Sequence, residues 1–365
     1  MGTMNELLNA AAVHRLAAHI ATVSPGTDLS HLRATSAGVD GLNLRARSDL
    51  ISDALVADLP GDYATVAALF RRALAIDDVT GWIIWPVSET VTTLALADGT
   101  DAAFDDALAL LSELTGRLTA EFAIRRLLER DLDRALAVIV GWTSSPDEHV
   151  RRLASEGTRA FLPWAIRVRS LLAHPESTIP ILDALYRDES EYVRRSVANH
   201  LNDLSRENPD FVAAVAERWM TRADAATARL VRHALRSLIK KGHPATLALL
   251  GFGVVELRVS PVVLTAGTVL APGDLEFAVD IVNEGATASK LAVDYVIYYL
   301  KSNGSQAQKV FKLAATTLAP GEALRATRRH SFRSMTTRVH YPGAHSIELQ
   351  INGQRYAKAD FLLEM

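Results

Sequence analysis

Cysteine is absent from the 365-residue sequence. That single absence removes disulfides, thiolate zinc sites, iron–sulfur clusters and cysteine nucleophiles, and it fits a reducing compartment. No run of 18 apolar residues occurs, so no membrane span is expected. The first helical stretch, MNELLNAAAVHRLAAHIATV, carries Glu6, His14 and Arg15 where a signal peptide would be apolar, and Glu6 stands where N-myristoylation wants Ser or Thr. A cytoplasmic protein without a membrane partner is expected. The sequence also lacks a P-loop, a dinucleotide-binding glycine fingerprint and any His/Asp/Glu spacing typical of zinc or iron, so any chemistry should need neither metal nor cofactor.

What remains is ordinary for a folded protein. Hydrophobic residues make up 49% and charged residues 22%, with 20 Gly and 13 Pro, which excludes wholesale disorder and collagen-like repetition. The length predicts two or three domains. The net charge of −3 conceals an asymmetry. Residues 1–116 carry 6 Lys/Arg against 15 Asp/Glu, residues 117–241 carry 21 against 17, and residues 242–365 carry 12 against 10. The middle segment's basic residues are mostly Arg beside apolar helix positions, the local face that a polyanion partner needs.

From about residue 4 to 250 apolar residues recur three and four apart, broken by SPGTD, LPGD, SSPDE and HPES. A motif returns within this region: HVRRLASEG from His149, YVRRSVANH from Tyr192 and LVRHALRSL from Leu230, with Val150, Val193 and Val231 aligned at spacings of 43 and 38. A period near 40 is the signature of HEAT or armadillo-like repeats, so residues 1–250 are read as an α-solenoid with a concave groove. After Gly253 the pattern changes. Residues 254–365 contain LEFAVDIVN, LAVDYVIYY, RATRRHSF, HSIELQI and RYAKADFLL, alternating and rich in β-branched and aromatic residues, with Asn352-Gly353 marking a hairpin. About seven short strands predict an all-β immunoglobulin-like sandwich.

Several segments carry a resemblance: LNLRARSDLISDALVADLPGDY, GWIIWPV, LTAEFAIRRLL, RRLASEGTRAFLPW and YVRRSVANHLNDLSRENP, the last two being the most specific. Over most of residues 40–245 the chain resembles the AlkC branch of the AlkC/AlkD DNA alkylation repair glycosylases, which are HEAT-like solenoids, and its last 110 residues are similar to the immunoglobulin-like domain that some AlkC proteins append. The resemblance implies a monomeric, nucleoid-associated enzyme that hydrolyses the N-glycosidic bond of cationic alkylated bases, 3-methyladenine and 3-methylcytosine, in double-stranded DNA. A cationic base is already a good leaving group, so the protein must stabilise positive charge on the sugar and place a water, which carboxylates beside Arg-bound phosphates would do.

Three carboxylates match family positions: Asp203, Glu156 and Glu121. Asp203 is the first choice for stabilising the oxocarbenium-like sugar and orienting water, with the two Glu flanking the cationic nucleotide. Each also has an Arg at helical spacing (Glu121 with Arg125, Glu156 with Arg152, Asp203 with Arg206), so ordinary helical ion pairs are the alternative. Trp164 is expected to pack against the lesion, since an aromatic face attracts a cation, or else to be a core Trp. Trp82 and Trp85 read as core, and His200 as a phosphate contact or a helix-packing residue. Arg152, Arg159, Arg194, Arg195 and Arg232 are candidate phosphate ligands, as are Arg328 and Arg329 within the run Arg325, Arg328, Arg329, Arg333 and Arg338, where charges guarding an edge strand are the alternative. The helix-hairpin-helix of other glycosylases and a lysine marked as a Schiff-base nucleophile are both missing, so a monofunctional hydrolase is expected. The rival reading is a non-catalytic HEAT-repeat scaffold that binds nucleic acid or protein.

Overall fold

The computed structural model describes residues 4–59, 61–334 and 339–365. The chain divides into two compact units, one of Met1–Asn208 with Arg222–Ala234 and the other of Pro209–Thr221 with Leu235–Met365.

The first unit is helical throughout. Its helix starts are written locally: the side chains of Asn9, Asn43, Asp62, Thr100, Asp131 and Asp147 each accept a hydrogen bond from a backbone N–H in the first turn that follows. The three copies of the returning motif lie on the helices Glu148–Glu156, Glu191–Leu204 and Ala225–Ala234, which pack in that order. Their aligned residues Ala154, Val197 and Leu235 are buried, as are Leu153, Ser196 and Ala234, so each helix covers its neighbour's apolar face, as a repeat protein requires. Gly157 ends the first of these helices where a Cβ would meet Ile124 Cγ2 and the Leu153 carbonyl, both at 2.9 Å. The missing side chain lets the Ile124–Arg130 helix come close to Glu156.

In the second unit the helices Pro209–Met220, Arg236–Lys241 and Pro244–Leu249 accompany, among the described residues, nine strands: β1 (Leu257–Val259), β2 (Val263–Leu264), β3 (Thr268–Leu270), β4 (Asp274–Asn283), β5 (Ser289–Leu300), β6 (Gln306–Leu318), β7 (Ala323–Ser331), β8 (Gly343–Ile351) and β9 (Gln354–Glu364). One sheet is built on β4, with β7 along one side and β1 and β2 sharing the other. The second runs β3-β9-β8-β5-β6. Alternate residues of the two sheets, among them Phe277, Ile281, Val293, Ile297, Phe332, Ile347 and Ile351, bury a common interior, giving the immunoglobulin-like sandwich. Asn352 and Gly353 turn β8 into β9 with φ of 45° and 81°. Nine strands stand where about seven are expected because β1 to β3 are only two or three residues long, and β6, QAQKVFKLAATTL, is an edge strand with a weak apolar alternation.

At one point in this unit two backbones nearly touch. Gly242, left-handed at φ 74°, closes the Arg236–Lys241 helix against Gly353 of the hairpin, and a Cβ on Gly242 would stand 2.5 Å from the Gly353 Cα. The outer face of the second sheet meets the same helix end, where Gln350 Nε2 donates to the Lys240 carbonyl at 3.1 Å.

Candidate active site

Glu121 comes just before the Ile124–Arg130 helix, Glu156 ends its own helix, and Asp203 lies in the last turn of Glu191–Leu204. The three carboxylates and two arginines form one linked row. Arg152 Nη1 donates to Glu121 Oε2, and its Nη2 stands 3.5 Å from Glu156 Oε1. Arg159 donates through Nη1 to the same Glu156 oxygen at 2.6 Å and through Nε to Asp203 Oδ2 at 2.8 Å. Thr119 adds a hydroxyl donor to Glu121 at 2.8 Å. All three acids are buried, with relative exposures of 8% for Glu121, 6% for Glu156 and 2% for Asp203.

Burial and pairing act in opposite directions on these groups. For Glu121 and Asp203 desolvation wins and raises the carboxyl pKa, against the charges of Arg152 and Arg159 respectively. At Glu156 burial also pushes upward, but Arg152 and Arg159 act together and bring it below the usual value. The row therefore holds three acids on two shared guanidiniums, with a third, Arg206, reaching only to 3.9 Å of Asp203.

Of the three helical-spacing pairs, two form, Glu156 with Arg152 at 3.5 Å and Asp203 with Arg206 at 3.9 Å. Glu121 is not bound to Arg125. Its position ahead of the helix sends it to Arg152, 31 residues on, and Arg125, fully buried, donates instead to the carbonyls of Gly157, Arg159 and Ile166 at 3.2, 2.7 and 2.5 Å. Arg125 thus ties down the loop 157–168 that carries both Arg159 and Trp164, a role hidden in the sequence because its partners are main-chain atoms. Its own pKa is lowered to about 10, by burial first and by Arg159 second. Trp164 is 59% exposed, with a left-handed φ of 64°, so it is not a core residue. Phe161 of the same loop lies under the guanidinium of Arg206, 4.5 Å from the ring centroid.

The remaining expected residues fall elsewhere. Arg194 spends its guanidinium on the carbonyls of Asp188 and Glu189 and on Glu191, at 2.5, 2.8 and 2.9 Å. Arg195 and Arg232 are exposed and have no ion-pair partner among the described residues; Arg195 joins Arg229 and His233 in a groove between the Glu191–Leu204 and Ala225–Ala234 helices. His200 is a packing residue: fully buried, its Nδ1 bonds the Ser155 carbonyl at 2.9 Å and its Nε2 meets Thr178 Oγ1 at 3.2 Å. In the sandwich, Arg329 reaches across to Glu276 and Asp274 at 2.9 and 3.5 Å, Arg325 stands 3.8 Å from Asp280, and Arg328 lies beside Tyr295. Arg338 lies outside the described residues.

A further buried carboxylate escaped sequence reasoning. Glu89, 3% exposed, accepts from Trp85 Nε1 at 3.1 Å and stands 3.5 and 4.0 Å from Arg45 and Arg126. Trp85 is buried as expected, and it stacks at 4.2 Å on Phe122, the residue after Glu121. The spacing of Trp85 and Glu89, one turn apart, was the available signal. Among the described residues no cluster of three His, Asp or Glu could hold a metal, and no helix is long and apolar enough to cross a membrane.

Comparison with known proteins places this geometry. Residues 116–238, which contain the whole row, match the DNA alkylation repair enzyme family, and residues 258–365 match the C-terminal Ig-like domain of the uncharacterised protein YhaZ. YhaZ of Bacillus subtilis (strain 168) is 31% identical over 364 residues, covering 99% of both chains. The solved structure of Pseudomonas fluorescens alkylpurine DNA glycosylase AlkC, bound to DNA containing an abasic site analog, matches with a TM-score of 0.89 at 36% identity over the full length of both chains. A helical repeat unit bearing the row of acids, an immunoglobulin-like sandwich after it, and likeness along the whole length together show that the chain belongs to the AlkC-type family of DNA alkylation repair proteins.

Proposed function

We propose that the protein is a DNA glycosylase that hydrolyses the N-glycosidic bond of cationic alkylated bases, 3-methyladenine and 3-methylcytosine, in duplex DNA. The observation that carries this reading is the surplus of acid in the row: three buried carboxylates share Arg152 and Arg159, which suits a site that receives positive charge. A groove built only to hold DNA would gain from losing those carboxylates.

In this reading the bond between C1′ and the base nitrogen breaks, and its electron pair leaves with the base and cancels the base's charge. The sugar becomes the cation. Asp203, fixed by Arg159, faces that charge and orients the water that adds to C1′, the proton of that water passing to solvent as the neutral sugar hydroxyl forms. Glu121 and Glu156 flank the nucleotide, while the exposed indole of Trp164 offers its face to the lesion. Arg195 and Arg232 contact backbone phosphates, which position the protein without reading sequence. No metal or cofactor enters the step.

The test is to incubate the purified chain with methylated duplex DNA in EDTA and identify the free bases by mass spectrometry. Release of 3-methyladenine or 3-methylcytosine at the rate seen without chelator is expected. Tight DNA binding with no base released would favour a non-catalytic scaffold instead.

A further inference from the structure

Two guanidiniums link the row, Arg159 between Glu156 and Asp203 and Arg152 between Glu121 and Glu156. Arg152 has to serve Glu121 with one terminal nitrogen and Glu156 with the other, and a long flexible side chain does not hold such a compromise unaided. The hydrogen bonds lie in the guanidinium plane and leave its two faces free. One face is covered: the ring of Tyr192 lies with its centroid 5.2 Å from Arg152 Cζ. Tyr192 is the second residue of the Glu191–Leu204 helix, so the backbone fixes where its ring can go. The edge of the His149 ring packs against it at 5.6 Å, and Ser190, just before the helix, donates to Glu148 of the neighbouring helix. The ring is thus braced from both elements.

We propose that Tyr192 is a positioning residue of the site, its ring clamping the Arg152 fork where it serves Glu121 and Glu156 together. An aromatic face attracts a guanidinium and excludes water from it, so the clamp favours the one orientation in which both acids are satisfied. The clamp rests on the glycosylase reading for its purpose but not for its existence. Without the ring, Arg152 is free to swing toward one acid. Glu121 is the more vulnerable of the two, because Arg152 is the sole cation bonded to it among the described residues, whereas Glu156 keeps Arg159. The charged and titratable groups around Glu121 are Arg152, Glu156, Tyr192 and, farther off, Arg125; around the ring they are Arg152, Glu121, Glu156, Glu148 and His149.

Two readouts test this in the full chain. Carboxyl titration followed by carbon NMR without DNA should show the Glu121 midpoint moved upward in Y192L and unmoved in Y192F, which keeps the ring. Single-turnover base release should fall roughly tenfold in Y192L, the scale expected for removing one cation–π interaction, and be largely rescued in Y192F. Placed on R152K, Y192L should add little, since the residue acts through Arg152. Tyr192 is 39% exposed, so leucine leaves no buried void. A Glu121 titration unchanged in Y192L overturns the clamp, and so does a Y192F loss as deep as that of Y192L, which would assign the effect to the hydroxyl. If the wild-type chain releases no base the glycosylase reading fails, while the titration still judges the clamp.

Discussion

Asp203 shows how a single carboxylate is made fit for electrostatic work. It is 2% exposed, which raises its pKa, and Arg159 at 2.8 Å keeps the ionised form within reach. Asp203→Asn keeps the shape and removes the charge that, in the proposed reading, faces the developing sugar cation. A fall of roughly 100-fold in single-turnover rate, about 3 kcal/mol, is expected, with DNA affinity kept or improved. A wild-type rate would return Asp203 to a structural ion pair. The direction of the shift also fixes the pH profile: as pH falls Asp203 takes up its proton earlier than an ordinary Asp, so activity should fade on the acid side above the usual Asp value, and that limb should vanish in the Asn variant. The residues of the row were legible because their types match the family pattern at those positions. Their pairing was legible only in part: Glu156 with Arg152 and Asp203 with Arg206 are read from helical spacing, but that spacing points Glu121 to Arg125 while the fold gives it Arg152. Arg125 and Tyr192 stayed hidden for a similar reason: their partners are carbonyls and a guanidinium face, which leave no complementary charge in the sequence.

At the scale of helices, the repeated motif was readable because equivalent positions, such as Ala154, Val197 and Leu235, keep one buried face through successive copies. The same repetition sets Arg195 and Arg232 on neighbouring helices, Glu191–Leu204 and Ala225–Ala234, as exposed cations without ion-pair partners among the described residues. Removing both by Arg→Ala should weaken duplex binding about equally for all sequences. The slope of log affinity against log salt should also become shallower, by about 0.9 for each phosphate no longer neutralised. Fluorescence anisotropy at several salt concentrations measures this, and an unchanged slope would place DNA away from these helices. Arg194, consumed by the carbonyls of Asp188 and Glu189, should contribute little to the slope.

Across the whole molecule, the two units carry buried groups of opposite pH response. His200 in the first unit is neutral: its Nδ1–H donates to the Ser155 carbonyl, and burial holds its pKa at about 3 against 6.5 for a free imidazole. The unfolded chain therefore binds the extra proton below pH 6.5, and stability present above that pH is lost as pH falls, by about 1.4 kcal/mol per unit. Asp294 on β5 in the second unit has its pKa raised to about 6, chiefly by burial and against Lys312 and Lys240. Its contribution is full below the unfolded value near 4 and is lost as pH rises through 6, on the order of 3 kcal/mol. Acidification from pH 7 to 5 should therefore destabilise the first unit while relieving the second. Thermal unfolding at the two pH values checks this. Asp294→Asn should raise the second unit's transition at pH 7.5 and not at pH 4, and equal gains at both would show that charge is not the cause. Helix packing was one of the two roles the sequence offered for His200, whereas Asp294 was not legible there, because a lone Asp carries no record of its burial.

The near-contact of Gly242 with Gly353 bears on anyone who wishes to graft the sandwich onto another protein. The change in composition near Gly253 invites a cut there. Such a fragment would leave behind the helix end on which the hairpin rests and expose a seam shaped to accept no side chain at all. The portable module begins instead ahead of Leu235, and a donor sequence with any residue other than glycine at 242 or 353 would not seat.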